Sequence, residues 1–108
     1  ETTGLIDGPV LDAIPDGIFV NVCRADVVVE DDLYDRLADH RLFAAGLDVW
    51  WRIPETLAAQ SNHSPAHRAF CDLDNVVMTP KVGGGLGEPD IERRRAEEVA
   101  AILQEFVD

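Results

Sequence analysis

Lysine is almost absent from this chain. Lys81 is the single lysine among nine basic residues, against 21 aspartates and glutamates. The net charge of −12 argues against nucleic acid or an anionic membrane surface as partner, because both would repel it. Heavy acid usage with so little lysine reads as the composition of a protein adapted to high salt. Cysteine is scarce too. Cys23 and Cys71 give no disulfide framework, and two reduced thiols point to a cytoplasmic protein. No apolar run approaches the ~20 residues that span a bilayer. Glu1-Thr2-Thr3-Gly4 has neither the basic nor the apolar region of a signal peptide. Internal repeats and low-complexity tracts are missing. What remains is a 46% hydrophobic, globular composition over 108 residues, suited to one compact domain or part of one.

The pattern of apolar residues places the elements. Pro9 sits in the first turn of a brief helix over Val10 to Ile14, which Pro15 and Gly17 terminate. Ile18 to Val22 is a short β-branched and aromatic run that reads as a buried strand. Ala25 to Val29 reads as a connection. Glu30-Asp31-Asp32 supplies carboxylates to a helix N-terminus, with Leu33, Leu37 and Tyr34 as its apolar stripe. Phe43 to Trp50 is the next strand, so strand, helix and strand make a βαβ unit. A long irregular connection, 51–74, leads to a third strand, Val76-Val77-Met78, closed by Thr79-Pro80. Glu88-Pro89-Asp90 opens a last helix. Ile91, Val99, Ile102, Leu103 and Phe106 keep its period, and Arg93-Arg94-Arg95 lies on its solvated side.

Three strands thus end near Arg24, Asp48 and Lys81, all expected on one rim of a parallel sheet. Ligands of open α/β sheets collect beyond the carboxyl ends of the strands. An arginine there can hold a carboxylate through two parallel hydrogen bonds, although Arg24 also reads as an ordinary surface residue. The glycines after Lys81 permit close backbone approach to a ligand. His63 and His67 are four apart, but Pro65 between them spoils a helical metal pair, so they read as loop polar groups and no metal site is expected.

Asn21-Val22-Cys23-Arg24, Gly46-Leu47-Asp48-Val49-Trp50 and Asn75-Val76-Val77-Met78-Thr79-Pro80 resemble, in order and spacing, motifs of the D-isomer-specific 2-hydroxyacid dehydrogenases. The resemblance covers nearly the whole chain. It implies the second half of a Rossmann-like parallel sheet flanked by helices, with the phosphate-binding loop and substrate domain lying outside residues 1–108. It further implies an oxidoreductase that transfers a hydride between NAD or NADP and a small 2-oxo or 2-hydroxy acid, homodimeric at full length. Arg24 matches the arginine that binds the substrate's carboxylate and carbonyl. Asp48 matches the aspartate that accepts a hydrogen bond from the nicotinamide carboxamide. Cys23 should lend backbone contacts on the nicotinamide side, and Gly83 and Gly84 match small residues beside the cofactor ring.

Two positions depart from that pattern. Lys81 stands where the family's acid/base histidine follows Thr-Pro, and Ile53 precedes Pro54 where its partner glutamate is usual. Asp48-Val49-Trp50-Trp51 looks like a divergent branch. Burial beside Arg24 would lower the pKa of Lys81 and make it a proton donor. Alternatively Lys81 holds the substrate while water supplies the proton, or it is a remnant in a non-catalytic NAD-binding regulator. Glu55, two residues beyond Ile53, is a further candidate partner. A half-domain completed by a partner chain is the third reading.

Overall fold

The computed structural model describes residues 1–83 and 87–107. Helix α1 spans Gly8–Asp12 and starts earlier than periodicity suggested, because the Asp7 side chain accepts the Val10 N–H and caps it. Gly17 ends the turn that follows. A Cβ there would lie 2.8 Å from the Ile14 carbonyl oxygen, so the turn has no room for a side chain.

Strands β1 (Ile18–Asn21), β2 (Ala44–Leu47) and β3 (Val76–Met78) form a parallel sheet in chain order. The α/β, Rossmann-like class read from the sequence is the one observed. Two strands are shorter than their apolar runs. At the end of β1, the Asn21 side chain accepts the Cys23 N–H and donates to the Arg24 carbonyl oxygen, closing a local turn that leaves no extended backbone to pair. Helix α2, Glu30–Ala38, crosses from β1 to β2.

Alternation along the strands divides the sheet into two unlike faces. Ala45 and Leu47 join Leu11, Val28, Leu33, Leu37, Leu42, Ala66 and Phe70 in one core, with Phe19, Val76 and Met78 against it. On the opposite face Ile18, Val20 and Val77 are more than three-fifths exposed. Parallel sheets are ordinarily covered on both faces. Helix α3, Pro89–Val107, has no buried residue, and its predicted stripe of Val99, Ile102, Leu103 and Phe106 lies exposed. The radius of gyration, 17.0 Å, exceeds the ~13 Å of a compact chain this long. The extra dimension goes with an uncovered sheet face and an unpacked helix. On the solvated side of α3, Arg93 pairs with Asp90 at 3.3 Å and Arg95 with Glu92 at 3.5 Å.

The long connection is irregular, as its composition suggests, with short 3-10 turns at Leu57–Asn62 and Phe70–Asp72. It is nevertheless tied to α2. Phe70 stacks on Trp51 at 5.4 Å and meets Tyr34 edge-on at 5.3 Å. The Arg68 guanidinium lies 4.1 Å from the Tyr34 ring centre and pairs with Asp31 and Asp35, both at 2.9 Å. The Glu30 carboxylate accepts the N–H groups of His67 and Arg68 at 2.6 and 2.7 Å, and His67 Nδ1 lies 2.8 Å from its other oxygen. The acids at the start of α2 therefore hold the loop as well as favouring the helix end. No helix among the described residues is long and apolar enough to cross a membrane.

Candidate active site

The connections leaving the three strands meet at the carboxyl rim of the sheet around an open cleft of about 1050 Å³. Its charge is opposite to that of the chain. Among the described residues, Arg24, Arg52 and Lys81 line it, against the single acid Asp26. A net positive cleft in a chain of charge −12 concentrates small anions.

Arg24 follows the Asn21 turn and is exposed, so the structure places it on the cleft as the sequence suggested. Its guanidinium is already engaged. Nε and Nη2 donate to the two carboxylate oxygens of Asp26 at 3.3 and 3.0 Å. That two-toothed pairing is the geometry in which a guanidinium holds a carboxylate. Sequence reasoning missed Asp26, although its place two residues after Arg24 was a signal. Cys23 also lines the cleft, with an exposed free thiol.

Asp48 is 5% exposed and turned into the loop after β3. It accepts the Thr79 hydroxyl proton, the Val82 N–H at 2.9 Å and the Gly83 N–H at 2.9 Å. The Thr79 hydroxyl, then the Val82 and Gly83 amides, hold its carboxyl below the usual carboxylate range, against the opposing effect of burial. The Lys81 amide adds to the same effect, so the protein itself satisfies this carboxylate. A Cβ on Gly83 would come within 3.1 Å of Asp48 Oδ2, so a side chain there would require the carboxylate to shift by a few tenths of an ångström. Neither Asp48 nor Gly83 lines the cleft. Gly84, the other glycine expected beside a cofactor ring, lies outside the described residues.

Lys81 lines the cleft with a backbone φ of +59°. It is exposed, so the burial expected to disfavour its charge is absent: the Thr79–Gly83 loop folds back onto Asp48 and leaves Lys81 at the surface. Ile53 lines the cleft where a glutamate was the expected partner, whereas Glu55 is exposed and does not reach it. His63 also lines the wall, its Nε2 buried and unpaired among the described residues. His67 belongs to the Glu30 tie instead. Among the described residues no His, Cys, Asp and Glu cluster is arranged to hold a metal ion.

A parallel sheet in chain order, with a cationic cleft beyond its strand ends, defines an α/β domain of the kind that binds nucleotide cofactors at that rim. The chain belongs to the family of D-isomer specific 2-hydroxyacid dehydrogenase NAD-binding domains, whose model matches residues 1–83. It is 39% identical over 89 residues to hydroxyphenylpyruvate reductase of Plectranthus scutellarioides, covering 82% of this chain and 25% of that protein. It is 41% identical over 66 residues to human glyoxylate reductase/hydroxypyruvate reductase, covering 61% of this chain and 17% of that one. A solved D-isomer specific 2-hydroxyacid dehydrogenase from Xanthobacter autotrophicus, in complex with NADPH and MES, superimposes with a TM-score of 0.59 at 30% identity. That match covers 75% of this chain and 30% of the solved one. The chain thus spans a quarter or less of these two curated relatives.

Proposed function

We propose that these residues are the nicotinamide-side half of a dehydrogenase that interconverts a 2-oxo acid and a 2-hydroxy acid with NAD or NADP. The observation that carries this reading is the cleft itself: among the described residues, three cations and one acid at the strand ends of a strongly acidic chain. Arg24 takes the substrate carboxylate in exchange for Asp26, which orients the neighbouring carbonyl carbon toward the cofactor. Lys81 presents its ammonium to the carbonyl oxygen, stabilises the negative charge that develops there and donates a proton to it. The bound nicotinamide supplies or receives the hydride. Asp48 keeps the loop that carries Lys81 folded, and it meets the nicotinamide carboxamide only if bound cofactor displaces one of those donors. The Gly83 backbone lies against that carboxylate. Cys23 lies on the cleft wall beside Arg24.

The uncovered face of Ile18, Val20 and Val77 supports a further part of the proposal. A phosphate-binding half of the domain and a substrate domain, outside residues 1–108, complete the sheet and the cleft in a cytoplasmic, homodimeric protein. The test is kinetic. An Arg24→Ala change in the full-length protein should cut kcat/KM by at least about tenfold on every accepted 2-oxo acid. Retention of full kcat/KM would remove the assignment.

A second reading rests on Ile53 and Lys81, which stand where an acid/base pair was expected. On that reading the protein is a non-catalytic NAD-binding regulator. It binds NADH but oxidises none across a panel of 2-oxo acids. Turnover that disappears in Lys81→Ala would reject it.

A further inference from the structure

Lys81 holds a backbone conformation that lysine rarely adopts. Its φ of +59° lies in the left-handed region, where a long side chain persists only if its surroundings over-determine it. They do so from both directions along the chain. Asp48 receives the Thr79 hydroxyl and the Val82 and Gly83 N–H groups. The half-buried Trp50 donates its indole Nε1–H to the Thr79 carbonyl oxygen at 2.8 Å. Pro80 follows Thr79 and has no N–H of its own, so the stretch entering Lys81 cannot be held by a backbone donor at that residue. Trp50 and Lys81 also line the same cleft.

We infer that Trp50 is a positioning residue for Lys81: its indole N–H fixes the Thr79-Pro80 peptide and thereby the direction from which the Lys81 ammonium enters the cleft. The inference rests on the proposed proton-donor function of Lys81. A phenylalanine at position 50 fills nearly the same space but offers no donor. It frees the Thr79 carbonyl and lets Lys81 relax out of the left-handed conformation.

The experiment uses the full-length enzyme as wild type, Trp50→Phe, Lys81→Arg and the double variant, with Trp50→Tyr as the second choice if Trp50→Phe does not fold. Two readouts are taken: kcat and KM across pH, and the rate at which an acetylating reagent modifies Lys81, measured by mass spectrometry. In Trp50→Phe, kcat should fall between about tenfold and a hundredfold, as for a small misplacement of a reacting group. KM for NADH and for the 2-oxo acid should stay within about twofold. The kcat–pH profile should shift and the acetylation rate of Lys81 should change. In the Lys81→Arg background, Trp50→Phe should add almost nothing, since both changes act through one group.

An unchanged acetylation rate overturns the inference. So does a loss in kcat that adds in full to that of Lys81→Arg. A wild-type protein that oxidises no NADH with any 2-oxo acid overturns the proposed function instead. The acetylation rate alone then decides whether Trp50 holds Lys81.

Discussion

Replacing Asp26 by asparagine should tighten substrate binding. Arg24 offers its Nε–Nη2 edge to Asp26 at 3.3 and 3.0 Å, with the two side chains 73% and 45% exposed. A substrate carboxylate must displace that partner or share the guanidinium with it. Exposed pairs of this kind contribute about 0.2–1 kcal/mol. Their loss converts, at 1.4 kcal/mol per tenfold, to a KM for the 2-oxo acid lower by a factor of about 1.4 to 5. Because the competition acts on ground state and transition state alike, kcat should not change. The effect should shrink at high ionic strength, where both the pair and the substrate's attraction are screened. Initial rates at saturating NADH, over a range of 2-oxo acid concentrations at low and high salt, measure all three quantities. A KM that rises, or a kcat that falls tenfold, would refute the reasoning. Asp26 would then be holding Arg24 in its working orientation.

Other predictions concern stability and pH. Phe70→Ala removes a ring that is 1% exposed between Trp51 and Tyr34. It should cost about 3–5 kcal/mol in a urea unfolding series, with the long connection released first in hydrogen exchange. Asp48 has a depressed pKa, so its stabilising effect is present above the unfolded carboxylate value of about 3.9. It is lost as pH falls through the lower folded value. Protection of the Val82 and Gly83 amides, relative to their intrinsic exchange at each pH, should therefore be flat from neutral pH down to about 5. Asp48→Asn should lower that protection over the same range; a loss of protection already at pH 6 in the wild type would contradict the assignment. With a net charge of −12, the melting temperature should rise as KCl goes from about 0.1 M to molar levels. A flat or falling response would count against adaptation to salt.

The sequence was most informative where an apolar run or spacing coincides with a whole element. Val76-Val77-Met78 is read to the residue, and Leu33 and Leu37 face the core as their spacing requires. Strand ends were read less well. Ile18–Val22 and Phe43–Trp50 are largely apolar runs that Asn21 and Asp48 interrupt, and the strands stop at Asn21 and Leu47 because those two side chains bond neighbouring loops. Apolar periodicity does not record such side-chain choices. The rim positions of Arg24 and Lys81 were legible from strand order. The engagement of Arg24 by Asp26 is local, and its two-residue spacing was a signal; the indole bond of Trp50 was not legible, since it joins loops 29 residues apart. The exposure of Lys81 follows from the same loop geometry.

The separation of core face from rim has an evolutionary consequence. Lys81 and Ile53, the two departures from the family pattern, are both exposed at strand-end loops and belong to no part of the core. Residues there can change while Leu33, Leu37, Leu47 and Phe70 continue to hold the sheet on α2. Selection for stability and selection at the cleft act on different residues in this chain. The cleft lining can drift, or be redesigned, by substitutions at the loops alone.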